Sequence, residues 1–317
     1  MPTLNDIRNM DTDTFKQTLL SGFEAIPSQL KTFLTQLPLA TFAIFAGCSA
    51  IYFADLVFWL IRLGTPLEDF LGLMPIKFLH GQIWRIFTYP LAHVSMFHLL
   101  FNMLALLSLS RTAEKRVGTL QYAYLLTVPF TLFPGIIYVL LTHFIFHSSD
   151  YHISTGTSGW VFALLTWECV RVDSVRSFFG LFNVSSKWYP VVILLVIEII
   201  FPASSLIGHL TCMAAGYLYA FGWLNIVVPP LNFFGRIQNW TFMNRIAGHS
   251  RFVDINDAQD TGVFLPSFFT RSTASNTQNS PGASAGHTLG SSQPSRQNYV
   301  TIHDINDVRE EQLLAKN

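Results

Sequence analysis

Apolar residues fall in blocks along this chain. The first covers residues 39–61, and at ~1.5 Å per helical residue it is long enough to cross a ~30 Å hydrocarbon layer. Further blocks cover residues 96–110, 119–146, 156–170, 188–201 and 205–228. Each is read as a membrane-spanning helix. The second and fourth are short and carry polar residues. The third contains Pro129 and Pro134, which predict a kink of the sort that neighbouring helices tolerate in a bilayer. Residues 62–95 hold Gly64, Pro66, Gly72, Pro75, Gly81 and Pro90, so one continuous helix is excluded there. The same stretch is rich in Leu, Phe and Ile, unlike an aqueous loop. The expected fold is an all-α membrane protein, a six-transmembrane-helix bundle with a membrane-embedded first loop.

The ends differ from this core. Residues 1–38 are polar and mixed, with no apolar run that would serve as a signal-peptide core. Residues 14–34 suit a solvated or interface-lying helix. Residues 229–317 form a polar tail that starts with some apolar character (Trp240, Phe242, Phe252). From about residue 267 it is rich in Ser, Thr, Asn and Gly and is expected to be disordered, with a short helix at 308–316.

Composition sharpens the division. Charged residues are 12% of the chain, about half the roughly 25% of a soluble domain. Residues 39–228 hold 9 Lys/Arg and 8 Asp/Glu, and the two ends hold the remaining 21 charges. A soluble enzyme core and a wholly disordered chain both fit this badly. The net charge is zero, which removes the basic stripe a nucleic-acid partner needs. Lys and Arg lie in the N-terminal segment (Arg8, Lys16, Lys31), between spans two and three (Arg111, Lys115, Arg116) and between spans four and five (Arg171, Arg176, Lys187), while the long first loop has two, Lys77 and Arg85. The connections between spans three and four, and five and six, have none. Both termini are therefore expected in the cytosol. Cys48, Cys169 and Cys212 fall in or at the ends of spans and read as packing residues, not a disulfide framework.

Polar groups within hydrocarbon are costly, about 2.5–3.5 kcal/mol for a charge, so each asks for a reason. The candidates are Asp55, His98, Asn102, Ser158, Glu198 and His209. Ser158 lies in Gly156-Thr157-Ser158-Gly159, where a polar loop enters the fourth block. A Ser at a helix start sits among unpaired N–H donors that can hold an oxyanion. His209 is a base of the right kind for a serine, and Gly208 and Gly216 allow its helix to approach a neighbour closely. His98 and Asn102 are four residues apart, so they share a helix face, and both can donate hydrogen bonds. Taken singly, these features read more simply as a helix cap and interhelical hydrogen-bonders. Together they lie toward the non-cytosolic ends of spans two, four and six. Metal-dependent proteolysis lacks a His-Glu-x-x-His. A paired-aspartate site lacks a second Asp beside Asp55. Asp55 and Glu198 read as buried hydrogen-bonded groups, as a pair, or as transport residues. Transport would call for internal repeats, and none is convincing.

The ordered set resembles the rhomboid intramembrane serine proteases. The resemblance runs through Trp84-Arg85, His93, His98-x-x-x-Asn102, Glu114-Lys115-Arg116-Val117-Gly118, Gly156-x-Ser158-Gly159, and His209 with Gly216. Tyr89-Pro90-Leu91-x-His93 and Pro202-x-Ser204-Ser205 leading to Gly208-His209 are similar to the fungal rhomboid protein 2 subfamily. The resemblance implies Ser158 as nucleophile and His209 as general base, with His98, Asn102 and the Ser158 N–H as oxyanion donors. Trp84, Arg85, Glu114, Gly156, Gly159 and Gly216 would be structural supports. No carboxylate third member is evident, and no metal or cofactor is implied. Substrates would be transmembrane proteins met among membrane lipids, at a Golgi membrane, with the tail as a candidate site for a cytosolic partner. A second reading is a catalytically inactive relative of the derlin type, a membrane-protein binding or retrotranslocation factor. Cys212 stands where the family usually has glycine and is expected to separate spans four and six slightly.

Overall fold

The structure, a computed structural model, describes residues 28–61, 66–146, 152–172, 174–178, 180–202 and 204–258. The expected helix at 308–316 and the Ser-rich stretch lie outside these residues. After a short α1 (Ser28–Thr35), α2 (Leu39–Leu60) is the first long apolar helix. The first loop folds into three short helices: α3 (Leu67–Leu71), α4 (Pro75–Leu79) and α5 (Arg85–Thr88). Then come α6 (Met96–Val117), α7 (Thr119–Thr127), α8 (Phe133–Phe144), α9 (Ser158–Arg171), α10 (Tyr189–Ile200) and α11 (Leu206–Ala220).

Among the described residues, three helical stretches are long and apolar enough to cross a membrane unaided: Leu39–Leu60, Met96–Val117 and Thr119–Phe144. A fourth counts if α11 and residues 223–238 are one span bent by 90°. The helices α9, α10 and α11 have 14, 12 and 15 residues, short of the ~20 that a 30 Å layer takes.

One expected boundary moves and one expected kink takes a definite form, each for an identifiable reason. The second span runs on past residue 110 to Val117, because Glu114 and Arg116, among the charges that ended the apolar block, have partners. Arg116 meets Glu168 on α9 at 2.7 Å, and Glu114 is fully buried. The Glu114 carboxylate accepts from the Ala40 and Thr41 N–H groups (2.9 and 2.7 Å) and from the Thr41 and Thr119 hydroxyls (2.7 Å each). It thereby caps α2, whose first N–H groups have no intrahelical acceptor. In the third span, the proline pair is absorbed by a π-helical turn, Val128–Leu132. There the Thr131 hydroxyl donates to the Leu126 carbonyl (2.7 Å) and accepts from Trp160 Nε1 (2.7 Å), fastening the turn to α9.

The close pairing of α9 with α11 depends on Gly216. A Cβ there would stand 2.5 Å from the Ala163 carbonyl oxygen and 2.9 Å from Thr166 Cβ, so the two backbones meet only because it has none. The α9–α10 connection holds an antiparallel hairpin not anticipated from sequence, β1 (Val175–Phe178) with β2 (Phe182–Ser185). Beyond residue 228 the chain continues through α12 (Leu231–Gln238) and α13 (Asn244–Ala247) to a strap. The carbonyl of strap residue Val253 accepts from the Thr119 N–H and its N–H donates to the Thr119 hydroxyl, at the start of α7.

Candidate active site

Three helices deliver the polar residues, each from its first turns. Ser158 opens α9, His209 is the fourth residue of α11, and His98 and Asn102 are the third and seventh of α6. Ser158 Oγ lies 2.8 Å from His209 Nε2. The other ring nitrogen, Nδ1, lies 2.8 Å from Glu198 Oε1, and the second Glu198 oxygen accepts from Ser204 Oγ at 2.9 Å. The Phe162 ring sits 4.8 Å from the imidazole. Ser158 is half-buried and His209 is buried.

Gly156 sets the approach to Ser158. Its φ of +93° is in the region that glycine adopts freely, and its N–H donates to the Tyr89 carbonyl (3.0 Å). A Cβ at Gly156 would stand 2.6 Å from the His98 ring and 3.2 Å from Asn102 Nδ2. Both side chains thus lie directly against the loop that carries the serine. His98 Nδ1 and Asn102 Nδ2 are buried with no protein partner among the described residues. The first helical bond of α9 runs from the Val161 N–H to the Thr157 carbonyl (3.0 Å). The N–H groups of residues 158–160 therefore stand outside the helical ladder. The serine, an imidazole and several unspent donors converge at one end of the bundle.

The first loop braces this arrangement. Buried Arg85 donates through Nη1 to the Gly72 carbonyl (2.5 Å) and through Nε to Gln82 Oε1 (2.6 Å). The next residue, Leu73, makes two backbone bonds of 2.9 Å with Ser154, in the loop leading to Ser158. Trp84 donates to the Phe70 carbonyl (3.1 Å) and stacks on the Phe70 ring. His93 lies between this loop and α6, its ring 5.1 Å from that of His98. Burial, and secondarily the nearby His98, pushes the His93 imidazole down to about 4, against the pull of the Leu91 carbonyl.

Two expectations change. Cys212 does not hold α9 and α11 apart at the site, because it lies against Gly159, which has no side chain to displace. Asp55 and Glu198 are not paired with each other. Asp55 accepts from the Leu67 N–H (2.6 Å) and caps α3, while Glu198 joins Ser204 and His209. Glu198 as a neighbour of the imidazole was missed from sequence. The available signal was the break at residues 201–205, marked by Pro202 and Ser204-Ser205, which folds the end of α10 back beside the start of α11. A cavity of about 650 Å³ lies between α8 and α11, bounded by Tyr138, His152, Ser204 and Thr211; Ser158 does not line it.

Comparison with known proteins finds similar chains. The Rhomboid domain family model matches residues 80–226. "Rhomboid-type serine protease B" of Aspergillus fumigatus is 30% identical over 233 residues, covering 69% of this chain and 82% of that protein. "Rhomboid-type serine protease 2" of Gibberella zeae is 32% identical over 214 residues, covering 67% and 76%. "Rhomboid-like protein 15" of Arabidopsis thaliana is 27% identical over 250 residues, covering 75% and 60%.

Proposed function

The chain belongs to the rhomboid family, in its fungal subfamily, and we propose that it is an intramembrane serine endopeptidase acting through Ser158 and His209. The observation that carries this reading is the 2.8 Å contact between Ser158 Oγ and His209 Nε2. Ser158 Oγ attacks the scissile carbonyl carbon, and its proton passes to His209 Nε2. The tetrahedral oxyanion is held by Asn102 Nδ2, His98 and the Ser158 N–H. As the C–N bond breaks, the imidazolium returns the proton to the leaving amine. Water then attacks the acyl-enzyme while giving a proton to His209, and the new carboxyl end departs as Ser158 regains its hydrogen. Each oxyanion donor is typically worth about 2.7–4 kcal/mol in the transition state.

In this reading α2, α6, α7–α8, α9, α10 and α11 are six spans with both chain ends in the cytosol. Support comes from the Lys/Arg pattern and from the start of α6, α9 and α11 at the site. Substrates are transmembrane segments with helix-destabilising residues near the cut, because a regular helix hides its carbonyls in its own hydrogen bonds. The likeness to the fungal subfamily favours a Golgi membrane.

The test is labelling of the detergent-solubilised full chain with a fluorophosphonate probe. Wild type should label, and Ser158→Ala and His209→Ala should not. Equal labelling of wild type and Ser158→Ala would sink the proposal.

A further inference from the structure

We infer that Glu198 is a positioning residue for His209, which makes the catalytic group a Ser158–His209–Glu198 triad; this rests on the serine protease reading above. The geometry is that of a relay held at both ends. Glu198 Oε1 is 2.8 Å from His209 Nδ1, and His209 Nε2 is 2.8 Å from Ser158 Oγ. An ionised carboxylate only accepts hydrogen bonds, so Nδ1 must carry the hydrogen. In the neutral imidazole Nε2 is then bare, as a base for the serine hydroxyl requires. With no acceptor at Nδ1, the hydrogen can sit on Nε2 instead, and that tautomer cannot take the serine proton.

The carboxylate is itself held. Its second oxygen accepts from Ser204 Oγ at 2.9 Å, and Ser205 caps α11 by accepting from the Gly208 N–H at 3.2 Å. The His209 N–H donates to the Ser205 carbonyl at 2.9 Å. The turn between α10 and α11 thus fixes acid and base together. Both side chains are largely shielded, at 17% exposure for Glu198 and 8% for His209. A carboxylate in such a place is costly unless paired, and the imidazole is the group it meets. When Ser158 gives its proton to Nε2, both ring nitrogens carry hydrogen. Glu198 then accepts from the Nδ1–H of the imidazolium, and the reaction asks it to take no proton.

Glu198→Gln and Glu198→Asp separate this role from simple packing. The fluorophosphonate labelling rate and the melting temperature are measured on the full-length protein, with Ser158→Ala and His209→Ala alongside. Glu198→Gln keeps the size and a partner for Ser204, and should slow labelling about 10²–10⁴-fold with the melting temperature nearly unchanged. Glu198→Asp should recover at least about tenfold of that loss, because it restores an anionic acceptor. Wild-type labelling by Glu198→Gln, with labelling abolished in both Ser158→Ala and His209→Ala, overturns the triad and leaves the pair standing. Slow labelling in both Glu198 variants with an equally lowered melting temperature also overturns it, in favour of a packing role. Undiminished labelling in Ser158→Ala would instead remove the protease reading itself.

Discussion

Gly159 and Cys212 share one space between α9 and α11: a Cβ at residue 159 would stand 2.7 Å from the Cys212 sulfur. The thiol therefore fills room that the glycine leaves, one residue after Ser158 and three after His209. This is why a bulkier residue on α11 is compatible with a 2.8 Å Ser158–His209 contact. Gly159→Ala should force the helices apart, costing about 1–3 kcal/mol as an overpacked contact and reducing probe labelling. The double variant Gly159→Ala with Cys212→Gly should recover most of both. Melting temperatures and labelling rates of the two single variants and the double form a cycle. Additive effects would show that the pair is not coupled.

Much of this site was legible because its residues carry local signals. Ser158 lies between glycines at the edge of an apolar block, and His98 and Asn102 share a helix face by spacing alone. Glu198 was not legible in the same way. Its partner is eleven residues away across a helix break, and hydropathy records burial without recording which neighbour a buried acid meets. The third span was similar. Pro129 and Pro134 signal a distortion, but its form as a π-helical turn depends on Thr131 and Trp160, 29 residues apart. The strap near residues 251–255 reads as polar tail because its attachments use backbone groups and the isolated side chains of Arg251 and Asp254, which leave no periodic pattern.

Glu114 should be among the least replaceable residues away from Ser158 and His209. Four donors from the start of α2, from Thr41 and from Thr119 converge on its carboxylate, and none can turn to water. Glu114→Gln offers fewer acceptor sites and adds a donor, so it should cost roughly 3 kcal/mol or more. Residue 114 is sixteen positions from His98, about 24 Å along α6. Thermal unfolding should therefore fall steeply while the folded fraction labels at the wild-type rate. A wild-type melting temperature in Glu114→Gln would contradict the burial.

His93 should give the fold an acid-sensitive limb. Its imidazole protonates near 4 in the folded protein, because burial and His98 disfavour the charge, and at the ordinary value of 6.5 once unfolded. Between these values the unfolded chain binds more protons, so stability rises with pH. The contribution is complete above about 6.5 and is lost as pH falls toward 4. His93→Gln removes the titrating group while remaining polar. Its melting temperature should therefore drop less between pH 7 and pH 5 than that of the wild type. Equal drops in the two proteins would show that His93 does not supply the limb.

The segment after α11 includes a strap tied to the bundle, and truncation on either side of it should show what it contributes. Arg251 Nη1 donates to the Leu34 and Leu37 carbonyls (2.9 and 3.1 Å), and the guanidinium lies 4.3 Å from the Phe42 ring. The Arg251 carbonyl accepts from the Leu39 N–H (2.9 Å). Two residues on, Val253 accepts from the Thr119 N–H and donates to the Thr119 hydroxyl (2.9 Å each), which itself donates to Glu114. Ending the chain after Pro230 removes all of these and should destabilise the protein by several kcal/mol, at about 0.5–1.5 kcal/mol net per hydrogen bond. Ending it after Ala258 keeps them and should leave melting unchanged. Arg251→Ala should reproduce part of the larger loss, since it removes the carbonyl contacts and the ring contact but keeps the backbone bonds. If the tail served only trafficking, both truncations would melt with the full chain.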